Sequence, residues 1–221
     1  MDHEFWQARW REGRIGFHEG EGSPRLREAL SRLTGDRPGA VLVPLCGKSV
    51  DMRILAGAGQ RVVGVELAES AAVAFFDEWG VTPEIDEQGP FKRYAGQGVT
   101  ILVGDFFALT PEQLGPVDAA FDRAALVALP PGLRARYAPH LCALLPPGAR
   151  LLLVTFEYDQ SLAAGPPFSV TADEVRSLFG AMATIEHLAE QPVEATSAAL
   201  REKNAELREA AWLLTRAPSA P

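Results

Sequence analysis

The stretch Ala40-Val41-Leu42-Val43-Pro44-Leu45-Cys46-Gly47, answered after one intervening segment by Arg61-Val62-Val63-Gly64-Val65-Glu66, decides the fold. Each run is short and apolar, the pattern of a strand buried on both faces, and the first ends in a glycine turn while the second closes on an acid. Between them Val50, Ile54, Leu55 and Ala58 share one face at helical spacing, and Gly57 and Gly59 stop the helix. The unit is strand, helix, strand, with the crossover expected to be right-handed.

The alternation continues along the chain. Residues 68–79 read as an amphipathic helix, 99–103 as a third strand, 117–121 as a fourth, 133–145 as a helix before Pro146-Pro147-Gly148, and 150–156 as a fifth strand. Thr171 with Glu174 three residues later marks the start of a helix to Phe179, and strands are expected near 184–188 and 211–215. That makes seven strands, the signature of a doubly wound, mostly parallel sheet whose ligands bind beyond the carboxyl ends of the strands. An N-terminal segment up to Leu33 and a Gly/Pro-containing insertion over residues 84–97 lie outside this pattern.

Bulk properties narrow the partner. At 221 residues and 47% hydrophobic the chain can bury one full core, so a single domain over residues 1–221 is expected. A formal charge of −8 without clustered Lys and Arg argues against nucleic acid and for a small-molecule partner. No apolar run is long enough to span a bilayer and the Met1-Asp2-His3-Glu4 start is acidic, so the expectation is a cytoplasmic protein without a membrane partner. Cys46 and Cys142 are too few for a disulfide framework and read as small core residues. No heptad or apolar stripe stands out, and a monomer is the default.

Three strand ends carry the chemistry: Leu45-Cys46-Gly47-Lys48, Glu66-Leu67 and Gly104-Asp105-Phe106. In an adenosine-binding doubly wound sheet a glycine turn admits the ligand, an acid about 20 residues on binds the ribose hydroxyls, and the third loop flanks the adenine. A dinucleotide would call for G-x-G-x-x-G after the first strand, and no such motif follows Gly47. S-adenosylmethionine carries no phosphate and needs only one such glycine. Glu66 reads as a ribose-binding acid before a solvated strand-end carboxylate, and Lys48 as a solvated lysine at a helix start before a phosphate-binding one. Trp6 and Trp10, four apart, share a helix face that either packs or covers the strand ends as a lid, where an indole would suit a sulfonium. Asp122 and Arg123, adjacent opposite charges at the end of the fourth strand, form either a site or a salt bridge that fixes the next helix. His18 has no companions at metal-ligand spacing, and no metal is expected.

Phe5-Trp6-Gln7-Ala8-Arg9-Trp10, Gly16-Phe17-His18-Glu19, Pro44-Leu45-Cys46-Gly47-Lys48-Ser49, Val63-Gly64-Val65-Glu66, Asp122-Arg123-Ala124-Ala125-Leu126-Val127-Ala128 and Gly165-Pro166-Pro167-Phe168, in this order, resemble the thiopurine S-methyltransferase family. The resemblance implies a class I methyltransferase of α/β fold, with residues 1–33 as an N-terminal helical lid segment and 34–221 as a Rossmann-like core. It implies S-adenosylmethionine as cofactor, held by Trp10, Leu45, Glu66 and Arg123 with Asp105 and Phe106 on the adenine side. Phe17 matches a position near the acceptor, and Arg123 one close to the reacting sulfur. The implied reaction is methyl transfer to the sulfur of thiopurines or other aromatic heterocyclic thiols by in-line displacement, driven by positioning and water exclusion. Arg123 is expected to favour the acceptor thiolate and Asp122 to orient Arg123. Methylation of selenium or tellurium species in detoxification, and a non-catalytic S-adenosylmethionine sensor, are the alternatives; residues 201–209, a highly charged stretch, depart from the family pattern and leave acceptor choice open.

Overall fold

The computed structural model describes residues 3–13, 20–35, 37–194 and 198–218. Their contacts divide the chain into two units, Met1–Phe121 and Asp122–Pro221. In the first, the order is α1 (His3–Arg11), α2 (Pro24–Thr34), β1 (Ala40–Pro44), α3 (Asp51–Gly57), β2 (Arg61–Glu66), α4 (Glu69–Trp79), β3 (Glu84–Gln88), β4 (Phe91–Gly96), β5 (Val99–Val103), α5 (Pro111–Leu114) and β6 (Ala119–Arg123), the last running across the boundary. β1 pairs in parallel with β2, from Ala40 opposite Arg61 to Pro44 opposite Val65, and with β6; β2 pairs in parallel with β5. The result is an α/β fold with a mostly parallel central sheet, as the sequence pattern implies.

Every residue of β1 is buried, and in β2 only Arg61 is exposed, which is what strands covered on both faces require. α4 buries Ala71, Ala72, Phe75 and Phe76 and ends at Gly80 in the left-handed conformation. α2, with proline in its first turn, buries Leu26, Ala29 and Leu33. α3 turns a different face inward from the one its apolar spacing predicts: Asp51, Met52 and Leu55 are buried. The reason is polar. Asp51 accepts the Ser23 N–H at 2.7 Å and the Ser49 hydroxyl at 2.9 Å, so its carboxylate is taken inside with its partners.

Nine strands are present among the described residues, two more than the seven expected. The additional pair is the antiparallel hairpin β3–β4, and β4 pairs antiparallel with β5. Residues 84–97, read as an insertion without assigned structure, form it. β3 is Glu-Ile-Asp-Glu-Gln and almost wholly exposed, so it carries no apolar alternation by which it could be recognised.

The second unit contains α6 (Pro131–Leu144), β7 (Arg150–Glu157), α7 (Ala172–Phe179), β8 (Ala183–Val193), α8 (Ala198–Glu202) and β9 (Leu207–Arg216). β9 pairs antiparallel with both β7 and β8. β8 is about twice the expected length, and β9 begins four residues early inside the charged stretch. The pairing explains both, because Gln191 opposite Glu209 and Pro192 opposite Arg208 extend the ladder through polar residues. No helix of the described residues is long and apolar enough to cross a membrane. Cys46 and Cys142 are both free and buried.

Candidate functional site

In the first unit the turn after β1 is tight. Leu45 has φ 47° and Gly47 φ 52°, and the left-handed region costs a leucine roughly 1–2 kcal/mol. Cys46 between them donates its N–H to the Val65 carbonyl at 3.0 Å. Its buried thiol is pushed up in pKa by desolvation and then by the charge of Glu66. The turn lies so close to β2 that a Cβ on Gly64 would stand 2.6 Å from Cys46 Sγ and 2.9 Å from Met52 Sδ.

Glu66 is 7% exposed. Its Oε2 accepts the Gly47 N–H and its Oε1 the Ala68 N–H, both at 2.8 Å. Burial pushes the carboxyl pKa up, while donation from the backbone of Ala68, Gly47 and Leu67 pulls it back down. A carboxylate has about four lone-pair sites, so beyond its backbone bond each oxygen retains acceptor capacity. The group is therefore oriented and still able to receive a pair of hydroxyls. That chemistry fits the ribose diol of an adenosine cofactor. The Gly104 N–H donates to the Glu66 carbonyl at 2.8 Å, so the ends of β1, β2 and β5 converge on this residue.

The remaining first-unit candidates fall around these strand ends in different ways. Asp105 accepts the Phe107 N–H at 3.0 Å and caps a short 3-10 turn, which buries Phe106 and sets it edge-on to Phe107 with ring centroids 6.0 Å apart. Trp6 and Trp10 are half-buried on α1, which packs against α4. The guanidinium of Arg9 lies 5.3 Å from the Phe5 ring centre and 6.0 Å from that of Trp6. Lys48 is not the solvated lysine expected: its ammonium pairs with Glu78 at 2.5 Å and its side chain is largely covered. Phe17 and His18 lie outside the described residues.

In the second unit Asp122 and the half-buried Arg123 end β6, and Ala124 follows at φ 66°. Asp122 is fully buried. Oδ2 accepts the Tyr137 hydroxyl at 2.7 Å and Oδ1 the Leu126 N–H at 3.1 Å, so the carboxylate, expected to orient Arg123, fixes the turn in which Arg123 stands. Burial raises its pKa to about 6 against the pull of those donors. Tyr137 is raised by burial and by the charge of Asp122. Tyr137 was not legible as a partner: a buried strand-end acid needs a donor, but nothing local says which helix residue supplies it. Among the described residues no three His, Cys, Asp or Glu side chains gather as metal ligands.

Solved structures share the fold. The 1,6-didemethyltoxoflavin-N1-methyltransferase of Burkholderia thailandensis, with bound S-adenosylhomocysteine, superposes with a TM-score of 0.64 at 21% identity over 97% of this chain and 87% of that one. An S-adenosylmethionine-dependent methyltransferase of Methanosarcina mazei gives 0.64 at 18% identity over 89% and 99%. The fold is that of the class I S-adenosylmethionine-dependent methyltransferases. At the level of sequence, the model of the thiopurine S-methyltransferase family matches residues 1–217. The thiopurine S-methyltransferases of Xanthobacter autotrophicus and Pseudomonas aeruginosa are 48% and 47% identical, each over 98% of this chain and 100% of the relative. The chain belongs to the thiopurine S-methyltransferase family, and is an S-methyltransferase that uses S-adenosylmethionine.

Proposed function

We propose that the protein methylates the sulfur of thiopurines and related aromatic heterocyclic thiols. The observation that carries the cofactor half of this reading is Glu66, buried, aimed by two backbone N–H groups and still able to accept the ribose hydroxyls. Leu45 and Trp10 contribute apolar walls to the same ligand, and Asp105 and Phe106 its adenine side. S-adenosylmethionine supplies an electrophilic methyl group on a sulfonium.

The chain's own part is to hold and to exclude. Arg123 stands beside the acceptor sulfur and favours its thiolate, so a strong general base is not required. Asp122, bonded to Tyr137 and Leu126, keeps the Arg123 turn in place. The family resemblance assigns Phe17 to the acceptor. The acidic balance of the chain, −8, favours a small molecule over a polyanion.

Transfer of labelled methyl from S-adenosylmethionine to a panel of thiopurines, aromatic thiols and selenite-derived acceptors tests the reading. Labelled thiopurine that vanishes in Glu66→Ala, with turnover lowered and cofactor affinity largely spared in Arg123→Ala, supports it. Label appearing on selenium species alone would replace the thiol with a metalloid acceptor.

A further inference from the structure

Thr171 and Glu174 have the spacing of a capping box, and half of the box forms: Thr171 Oγ1 accepts the Glu174 N–H at 3.2 Å. The Glu174 carboxylate goes elsewhere, accepting Arg134 Nη1 at 2.7 and 2.8 Å. Arg134, on α6, is 1% exposed. Burying a guanidinium is costly unless it is paired and hydrogen-bonded, so such a residue calls for a reason.

Its other bonds supply one. Arg134 Nε donates to the Leu129 carbonyl at 2.8 Å, on the segment that continues from the Arg123 turn, and Nη1 donates to the Ser169 carbonyl at 3.1 Å. The guanidinium also lies 5.7 Å from the ring centre of Phe168. The same two segments are joined directly, because the Phe168 N–H donates to the Val127 carbonyl at 2.7 Å. On its far side the loop closes on its own ring: Gly165, at φ 74°, has its Cα so near Phe168 that a Cβ would stand 2.5 Å from Cδ1. Arg134 thus pins a proline-rich loop beyond the carboxyl end of β7 to the segment beyond the carboxyl end of β6. In doubly wound sheets that is the end at which ligands bind.

We infer that Arg134 is a positioning residue for the acceptor: by locking the Gly165–Ser169 loop onto the segment after Arg123, it sets the rigid wall against which the thiol is held. This rests on the proposed placement of the acceptor beside Arg123. Mispositioning by a fraction of an ångström acts on acceptor binding and orientation.

Arg134→Met and Arg134→Lys, with Gly165→Ala as a variant that moves the ring while leaving the buried charge in place, test the inference. Measured are the KM and kcat for 6-mercaptopurine, the Kd for S-adenosylhomocysteine, and Tm. The expected result for Arg134→Met and Gly165→Ala is a KM raised about tenfold with Kd within about twofold, and partial recovery in Arg134→Lys. An unchanged acceptor KM in folded Gly165→Ala, or a Kd that worsens in step with KM, overturns it. Arg123→Ala run alongside separates the two readings: full turnover there with raised KM in the loop variants sinks the role of Arg123 and leaves the loop's role standing.

Discussion

The hydroxyl of Tyr137 donates to Oδ2 of Asp122 at 2.7 Å, and neither side chain is reached by solvent. The pair fixes the end of β6 to α6 and so determines where Arg123 begins.

A carboxyl held at about 6 in the folded protein against 3.8 when free makes folding pH-dependent. Between those values the folded state binds the proton and the unfolded state does not, so stability is lost as pH rises from about 4 to about 6 and stays lower above it. The shift corresponds to on the order of 3 kcal/mol. The difference in unfolding free energy between wild type and Asp122→Asn, measured by denaturant titration from pH 4 to 7.5, is expected to fall across that window; a flat difference would show that Asp122 titrates normally.

Glu66→Gln replaces one acceptor oxygen with an N–H donor facing the N–H of Gly47 or Ala68. An unsatisfied buried donor costs about 1–3 kcal/mol. Stability should drop by that amount, and affinity for S-adenosylhomocysteine by at least about tenfold, since the amide offers fewer acceptor sites. Calorimetric titration and Tm check both. Undiminished affinity would remove Glu66 from the cofactor site.

Gly64→Ala drives a methyl group to 2.6 Å from Cys46 Sγ and 2.9 Å from Met52 Sδ. Overpacking of this kind costs roughly 1–3 kcal/mol and displaces the turn that presents Gly47 to Glu66. Cys46→Ala removes the nearer of the two sulfurs, so the double variant should recover part of the loss in Tm and in cofactor affinity, a non-additivity expected of residues in contact.

At Leu45 the backbone and the side chain make separate demands. Asparagine tolerates φ 47° better than leucine, so Leu45→Asn should hold stability within about 1 kcal/mol of wild type. Affinity for S-adenosylhomocysteine should nevertheless fall several-fold if the leucine side chain contacts the ligand; unchanged affinity would leave Leu45 with a backbone role alone.

Elements whose burial is written into local sequence were legible. β1, β2 and β5 are apolar runs, and α4 repeats its apolar face at helical spacing, so their order and parallel pairing followed from pattern. The hairpin β3–β4 was not, because an exposed strand such as Glu84–Gln88 needs no apolar alternation. The true ends of β8 and β9 were hidden for a related reason: polar residues there are held by ladder bonds to a neighbouring strand rather than by burial of an apolar face.

The candidate site divides in the same way. By itself the sequence determined the strand ends that bear it, the glycine turn without a phosphate fingerprint, the acid at the end of β2 and the family to which these motifs belong, since all of these are properties of neighbouring residues. Only the tertiary structure decided what each polar group is bonded to. It bound Glu66 to Gly47 and Ala68, gave Asp122 to Tyr137, paired Lys48 with Glu78, and drew Glu174 away from its helix cap to Arg134. Burial favours a partner for each such group, and which partner lies within reach depends on how elements far apart in the chain come together.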